Sequence, residues 1–123
     1  MDETAGPDAV LFVVTTVSTD TEARALAERL VGDRLAACVN ALPNVRSVFR
    51  WQGEVDDAEE ILLLVKTLAS RWEDVKAAIL AAHPYELPEI VALRAADVEE
   101  AFARWIAESC ARERPEPPRK IDA

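Results

Sequence analysis

Leu35-Ala36-Ala37-Cys38-Val39-Asn40, Val45-Arg46-Ser47-Val48-Phe49-Arg50-Trp51 and Ile61-Leu62-Leu63-Leu64-Val65 decide the fold. Together they read as two long strands folded back on each other between Leu35 and Thr67. The first two segments are small, β-branched and aromatic, the composition of a pleated, half-buried surface. The third is an unbroken apolar run of strand length, as expected of a strand covered on both faces. Gln52-Gly53-Glu54-Val55-Asp56-Asp57 separates the strands and reads as a polar turn. Pro43 has no amide hydrogen to give to a ladder, so it predicts a bulge, a bend or an edge position in the first strand.

Before the hairpin, Val10 to Val17 is apolar enough for a strand inside a sheet. Thr19 and Glu22 then stand in the S/T-x-x-E spacing that opens a helix, because hydroxyl and carboxylate each satisfy a free backbone donor. Ala23, Leu26, Ala27, Leu30 and Val31 follow at helical intervals and make one apolar stripe. After the hairpin, Ser70 and Glu73 repeat the capping spacing, and Trp72, Val75, Ile79 and Ala82 continue a second helix. That helix ends near His83, because Pro84 biases its predecessor away from helical geometry. Glu89 to Arg94 reads as a fourth strand, and a third helix starts over Asp97 to Glu100. Its apolar side collects Val98, Ala101, Phe102, Trp105, Ile106 and Cys110.

The order β-α-β-β-α-β plus a helix predicts an α+β protein, the ferredoxin-like sandwich with two helices on one face of an antiparallel sheet. The third helix covers part of the other face, and a further subunit is expected to cover the rest. One domain over 10–112 is expected, between a flexible segment 1–9 and a charged, proline-rich, disordered tail 113–123.

With 123 residues the chain supports one core. No apolar run approaches the ~20 residues of a membrane helix, so no span is expected. The start is acidic and lacks the basic residues of a secretory signal, which predicts a cytoplasmic protein. A net charge of -9 and a pI near 4.6 argue against nucleic acid as a partner, Arg46 and Arg50 being too few to neutralise phosphates. Cys38 and Cys110 lie far apart without a C-x-x-C pairing and read as reduced thiols.

Ala36-Ala37-Cys38-Val39-Asn40, then Ser47 to Trp51 with Gly53, Glu60 with Lys66-Thr67, His83-Pro84-Tyr85-Glu86-Leu87-Pro88-Glu89, and Trp105-Ile106 form five blocks in order. In this the chain resembles the CutA, or divalent-cation tolerance, proteins. The resemblance implies a ferredoxin-like protomer in a compact, PII-like homotrimer. It also implies a cytoplasmic protein that contributes to the response to metal ions by binding copper or another divalent cation. The alternative it leaves open is a PII-like signalling or scaffold trimer that takes a small anionic ligand at the cleft between subunits. Three residues depart from the family's habit: Phe49 stands where tyrosine is usual, Glu54 where lysine is common, and Ser18 where proline often precedes the first helix. Phe49 removes a hydroxyl and Glu54 reverses a charge.

Candidate metal ligands are Cys38 and His83, since thiolate suits Cu(I) and imidazole suits Cu(II) and zinc. No spacing in the chain supplies a closed set of three or four ligands, so symmetry would have to complete a site. Cys38 reads equally as a small residue in a strand core, and His83 as a helix-end cap. Trp51, Glu60, Lys66, Tyr85, Glu86 and Trp105 are candidates for a ligand cleft or for a subunit interface. Glu60 and Lys66 share a strand face but sit roughly 20 Å apart at about 3.3 Å per residue, so each needs a different partner. The run Asp56-Asp57-Ala58-Glu59-Glu60 lacks the calcium-loop pattern and reads as a solvated turn. No nucleophile with its base, phosphate loop or dinucleotide fingerprint appears, so catalysis is not expected.

Overall fold

In the computed structural model, which describes Gly6 and residues 8–111, four strands and three α-helices follow the expected order. They are β1 Val10–Val17, α1 Asp20–Gly32, β2 Cys38–Trp51, β3 Glu54–Leu68, α2 Trp72–Ala82, β4 Val91–Arg94 and α3 Glu100–Ser109. The sheet order is β2-β3-β1-β4 with every pair antiparallel, which is the ferredoxin-like topology. Of the segment 1–9, Ala9 is buried and its carbonyl accepts the Ala69 amide at 2.8 Å. The expected tail 113–123 and most of the N-terminal segment lie outside the described residues.

Register sorts the side chains between two faces. Val13, Thr15 and Val17 of β1 pair with Val65, Leu63 and Ile61 of β3. Val13, Val17, Leu63 and Val65 meet Leu26 and Leu30 of α1 and Val75 and Ile79 of α2 in the main core. The alternate residues point the other way, because successive strand side chains alternate. On that second face Phe12, Val14, Leu62, Leu64, Val91 and Leu93 form an apolar surface. Only one end of it is covered, where Ile106 of α3 and Cys110 just past that helix pack on Val10 and Leu68. Leu93 remains 53% exposed and Trp105 44%.

Thr15 is fully buried on the core face, and its hydroxyl has no hydrogen-bond partner. A buried hydroxyl without a partner carries its desolvation cost uncompensated. Thr15→Val, which keeps the branched shape, is therefore expected to stabilise the fold by about 1 kcal/mol. Denaturant unfolding at fixed protein concentration checks this, and a loss of stability would refute it.

The hairpin departs from its expected turn. Only Gln52 and Gly53 turn, with φ of 51° and 83°, the two left-handed residues of a type I′ connection. Glu54 to Glu60, read from sequence as a polar turn, is strand and pairs with Val45 to Trp51. β1 pairs only with Ile61 to Leu68, so this outer half is a two-stranded arm running past the sheet. Its residues mix charged and apolar side chains without strict alternation, and most of them are exposed.

Pro43 has the effect its chemistry suggests. β2 is an edge strand, and its register shifts between Leu42, opposite Leu62, and Val45, opposite Glu60. Pro43 and Asn44 together face the single residue Ile61, a bulge in which Asn44 adopts φ 64°. The extra residue moves Val45, Ser47, Phe49 and Trp51 onto the face that Cys38, Asn40 and Leu42 occupy before it.

Helix ends fit and depart from expectation in turn. Thr19 and Glu22 form the reciprocal capping box at α1. At α2 a 3-10 turn, Ala69–Arg71, precedes the helix and places the N-cap on Arg71, one residue beyond the Ser70 expected from the spacing. Arg71 pairs with Asp74 at 3.1 Å and donates to the Arg34 carbonyl at 3.2 Å. α3 starts later than expected, capped by Glu99, whose carboxylate accepts the amides of Ala101 and Phe102. Arg34 closes its other end, donating to the carbonyls of Glu108 at 2.6 Å and Ala111 at 3.1 Å.

Candidate functional site

The end of the second face farthest from α3 holds a polar centre built on Glu60. Glu60 sits where β3 leaves the sheet for the arm, and it is 9% exposed. Tyr85 reaches it from the loop after α2, its hydroxyl donating to Glu60 Oε2 at 2.6 Å. The Ser18 hydroxyl, 2.8 Å away, is then left to donate to the Tyr85 oxygen. Burial alone would raise the Glu60 carboxyl, but hydrogen bonds from Ser47, Tyr85 and Thr16 outweigh it and hold the group below its ordinary value. For Tyr85, burial and the Glu60 carboxylate both push the phenol up. Carboxylate and phenol therefore keep one charge and one proton between them.

His83 fixes this loop from below. Its Nδ1 accepts the Tyr85 amide at 3.1 Å, so its Nε2 must carry the hydrogen given to the Thr16 carbonyl at 2.7 Å. The two rings meet edge to face at 4.5 Å. With one ring nitrogen accepting and the other donating, this histidine has no lone pair free in a single chain. Helix α2 ends at Ala82, as Pro84 predicts, and the chain leaves in extended geometry at His83.

A cleft of about 800 Å³ opens over Glu60. Its floor is one face of the arm, where Ser47, Phe49 and Trp51 stand opposite Ala58, Asp56 and Glu54. The loop supplies Tyr85, Glu86, Leu87 and Glu89 to the rim. Phe49 and Trp51 are 40% and 42% exposed, leaving aromatic surface toward the opening.

Of the sequence candidates, Trp51, Glu60, Tyr85 and Glu86 meet at this cleft. Lys66 does not. It lies at the other end of β3, with its ammonium 5.5 Å from the Phe12 ring centre and 5.7 Å from that of Phe102. Trp105 packs beside Phe102 at 5.5 Å, also at the α3 end. Cys38 faces Lys66 in register and is half-buried, with Sγ 3.9 Å from Asn40 Oδ1. Phe12, opposite Lys66, and Thr16, which holds His83, are four residues apart on β1, roughly 13 Å at about 3.3 Å per residue. Cys38 and His83 therefore belong to opposite ends of the face. Among the described residues no group of three or more His, Cys, Asp or Glu side chains is placed to hold a metal ion. Cys110 is buried, and burial pushes its thiol up, while the Thr67 hydroxyl lies 3.9 Å away.

Thr16, Ser18 and Ser47 complete the centre and are not among the site residues expected from sequence, where Ser18 stands out only as a departure from the family's proline and Ser47 only within a family block. Ser47 had a usable signal, its two-residue spacing from Phe49 and Trp51 on one strand. Thr16 and Ser18 had none, because their partners, His83 and Tyr85, each lie 67 residues away along the chain.

A profile of the CutA1 divalent ion tolerance protein family matches residues 11–109. The divalent-cation tolerance protein CutA of Thermus thermophilus is 45% identical over 97 residues, which are 79% of this chain and 94% of that one. The solved Thermus structure superimposes with a TM-score of 0.77. A solved protein from Archaeoglobus fulgidus, described as a periplasmic divalent cation tolerance protein CutA, has 34% identity and a TM-score of 0.80 over 82% of this chain and 98% of that one. A CutA homologue of Danio rerio is 41% identical over 74% of this chain but only 61% of its own length.

Proposed function

The chain belongs to the CutA1 divalent ion tolerance protein family, and from that membership we propose that it acts as a cytoplasmic homotrimer that binds metal ions rather than catalysing a reaction, with copper as the first metal to test. The observation that supports this most is the uncovered apolar face of the sheet, with Val91 45% and Leu93 53% exposed. Such a continuous patch favours burial against other copies of the chain. Cys38 lies on that face, so a threefold axis beside it would gather three thiols where one chain offers one. Three thiolates suit Cu(I). Metal-free protein is expected to bind Cu(I) saturably in competition with a chelator of known affinity, and Cys38→Ala to lose at least tenfold in affinity. Absence of saturable binding by the natural chain would remove the metal from this proposal.

A second reading, a PII-like signalling or scaffold trimer with a small ligand at the subunit boundary, is favoured by the cleft over Glu60. If that ligand is anionic and held by Lys66, Lys66→Ala should abolish ligand-induced thermal stabilisation and leave the assembly intact. Loss of the assembly instead would make Lys66 an interface residue.

A further inference from the structure

We propose that the cleft over Glu60 takes a small organic cation, an ammonium-bearing molecule whose charge is met by Glu60 and whose carbon skeleton lies against Phe49 and Trp51. This rests on reading the cleft as a binding site, and it opposes the sign of the anionic ligand considered above. The first support is Glu60 itself. A carboxylate buried to nine-tenths is normally matched by a cation, yet among the described residues it forms no ion pair with Lys or Arg. The hydroxyls of Ser47, Tyr85 and Thr16, with a smaller contribution from His83, hold it ionised without any of them forming an ion pair with it.

The second support is the division of charge between the faces of the arm. Arg46 stands opposite Glu59 and pairs with Asp57 at 2.8 Å, and Arg50 shares that face and donates to the Gly53 carbonyl. The cleft's lining carries four carboxylates, Asp56, Glu60, Glu86 and Glu89, against one basic residue, Arg50, whose guanidinium is taken up by the Gly53 carbonyl. The third support is the wall. The ring faces of Phe49 and Trp51 attract cations and repel anions through their quadrupoles. A divalent metal fits this arrangement poorly, since the described residues gather no three ligands, whereas an alkylammonium needs one counter-charge and an apolar surface. Glu86 and Glu89 at the rim would meet a second ammonium.

The test uses the assembled full chain and matched four-carbon probes at low ionic strength: putrescine, the dicarboxylate succinate and neutral 1,4-butanediol, followed by calorimetry. Putrescine is expected to bind saturably and the other two not at all. Glu60→Gln should weaken putrescine at least tenfold, and Trp51→Leu, at an exposed position that the core does not use, severalfold. Glu59→Gln, on the opposite face of the arm, should leave it unchanged. Equal losses in Glu59→Gln and Glu60→Gln would reduce the effect to diffuse acidity and overturn the proposal. Binding of succinate but not putrescine would overturn the cation and keep the cleft as a site; binding of neither would overturn both.

Discussion

Leu93→Glu is expected to convert the proposed trimer into a folded monomer in sedimentation velocity at micromolar concentration. Leu93 pairs with Phe12 across β1 and β4 and is half exposed in a single chain, so a carboxylate there costs the protomer little. In an assembly that buries this face the same carboxylate would be desolvated without a partner, three times over. The penalty for an uncompensated buried charge is about 3–5 kcal/mol per site, which exceeds what most interfaces tolerate. Far-ultraviolet circular dichroism should be unchanged, because no core residue is touched. A variant that remains trimeric would show that the interface lies elsewhere, with the arm as the next place to look.

Tyr85→Phe is expected to cost about 1.5–3 kcal/mol at neutral pH, the range for a hydrogen bond to a charged group. It leaves Glu60 buried with one donor fewer, and the loss should change with pH. Because the folded state holds the Glu60 carboxyl below its ordinary value, its contribution to stability is complete above the unfolded glutamate pKa of about 4.3 and fades as pH falls through the folded value. Removing the phenol raises that folded value, so the acid-side slope of stability should become shallower in Tyr85→Phe. On the basic side the sign is opposite. The Tyr85 phenol is pushed up in the folded state, so its contribution is present below the ordinary tyrosine pKa and lost as pH rises through the raised value. Denaturant unfolding from pH 3 to 11 at constant protein concentration reads both limbs. An unchanged acid limb would mean that the Tyr85–Glu60 bond does not govern the carboxyl.

What the sequence made legible depended on period and chemistry acting locally. The Thr19–Glu22 box, the apolar stripe of α1 and the bulge at Pro43 each follow from residues a few positions apart, and each is present. Glu54 to Glu60 was misread because a two-stranded arm without a covering layer needs no apolar alternation, so its charges resemble a turn. Ser70 and Glu73 had the right spacing for a cap, but the 3-10 turn moved the helix start onto Arg71. The fourth strand shrank from Glu89–Arg94 to Val91–Arg94, since β1 offers pairing partners only from Leu11 to Val14. Glu60 and Tyr85 were both visible as chemistry, but their contact spans 25 residues and a helix. No spacing rule reaches across that distance, and for the same reason Lys66 was grouped with residues at the far end of its own strand.

The bulge at Pro43 and Asn44 has a consequence for what kind of molecule the cleft welcomes. A strand is a two-beat sequence, and one supernumerary residue reverses the beat for everything downstream. Had β2 continued without it, Arg46, Val48 and Arg50 would lie beside Glu60, and Phe49 and Trp51 would lie on the opposite side. The same fourteen-residue strand would then offer a basic floor in place of an aromatic one. Asn44 tolerates the left-handed backbone this requires, whereas a β-branched residue there would penalise it and favour the slipped ribbon. The polarity of the cleft is thus a matter of counting along the strand, and a shift by one position would invert it while leaving the composition of the chain untouched.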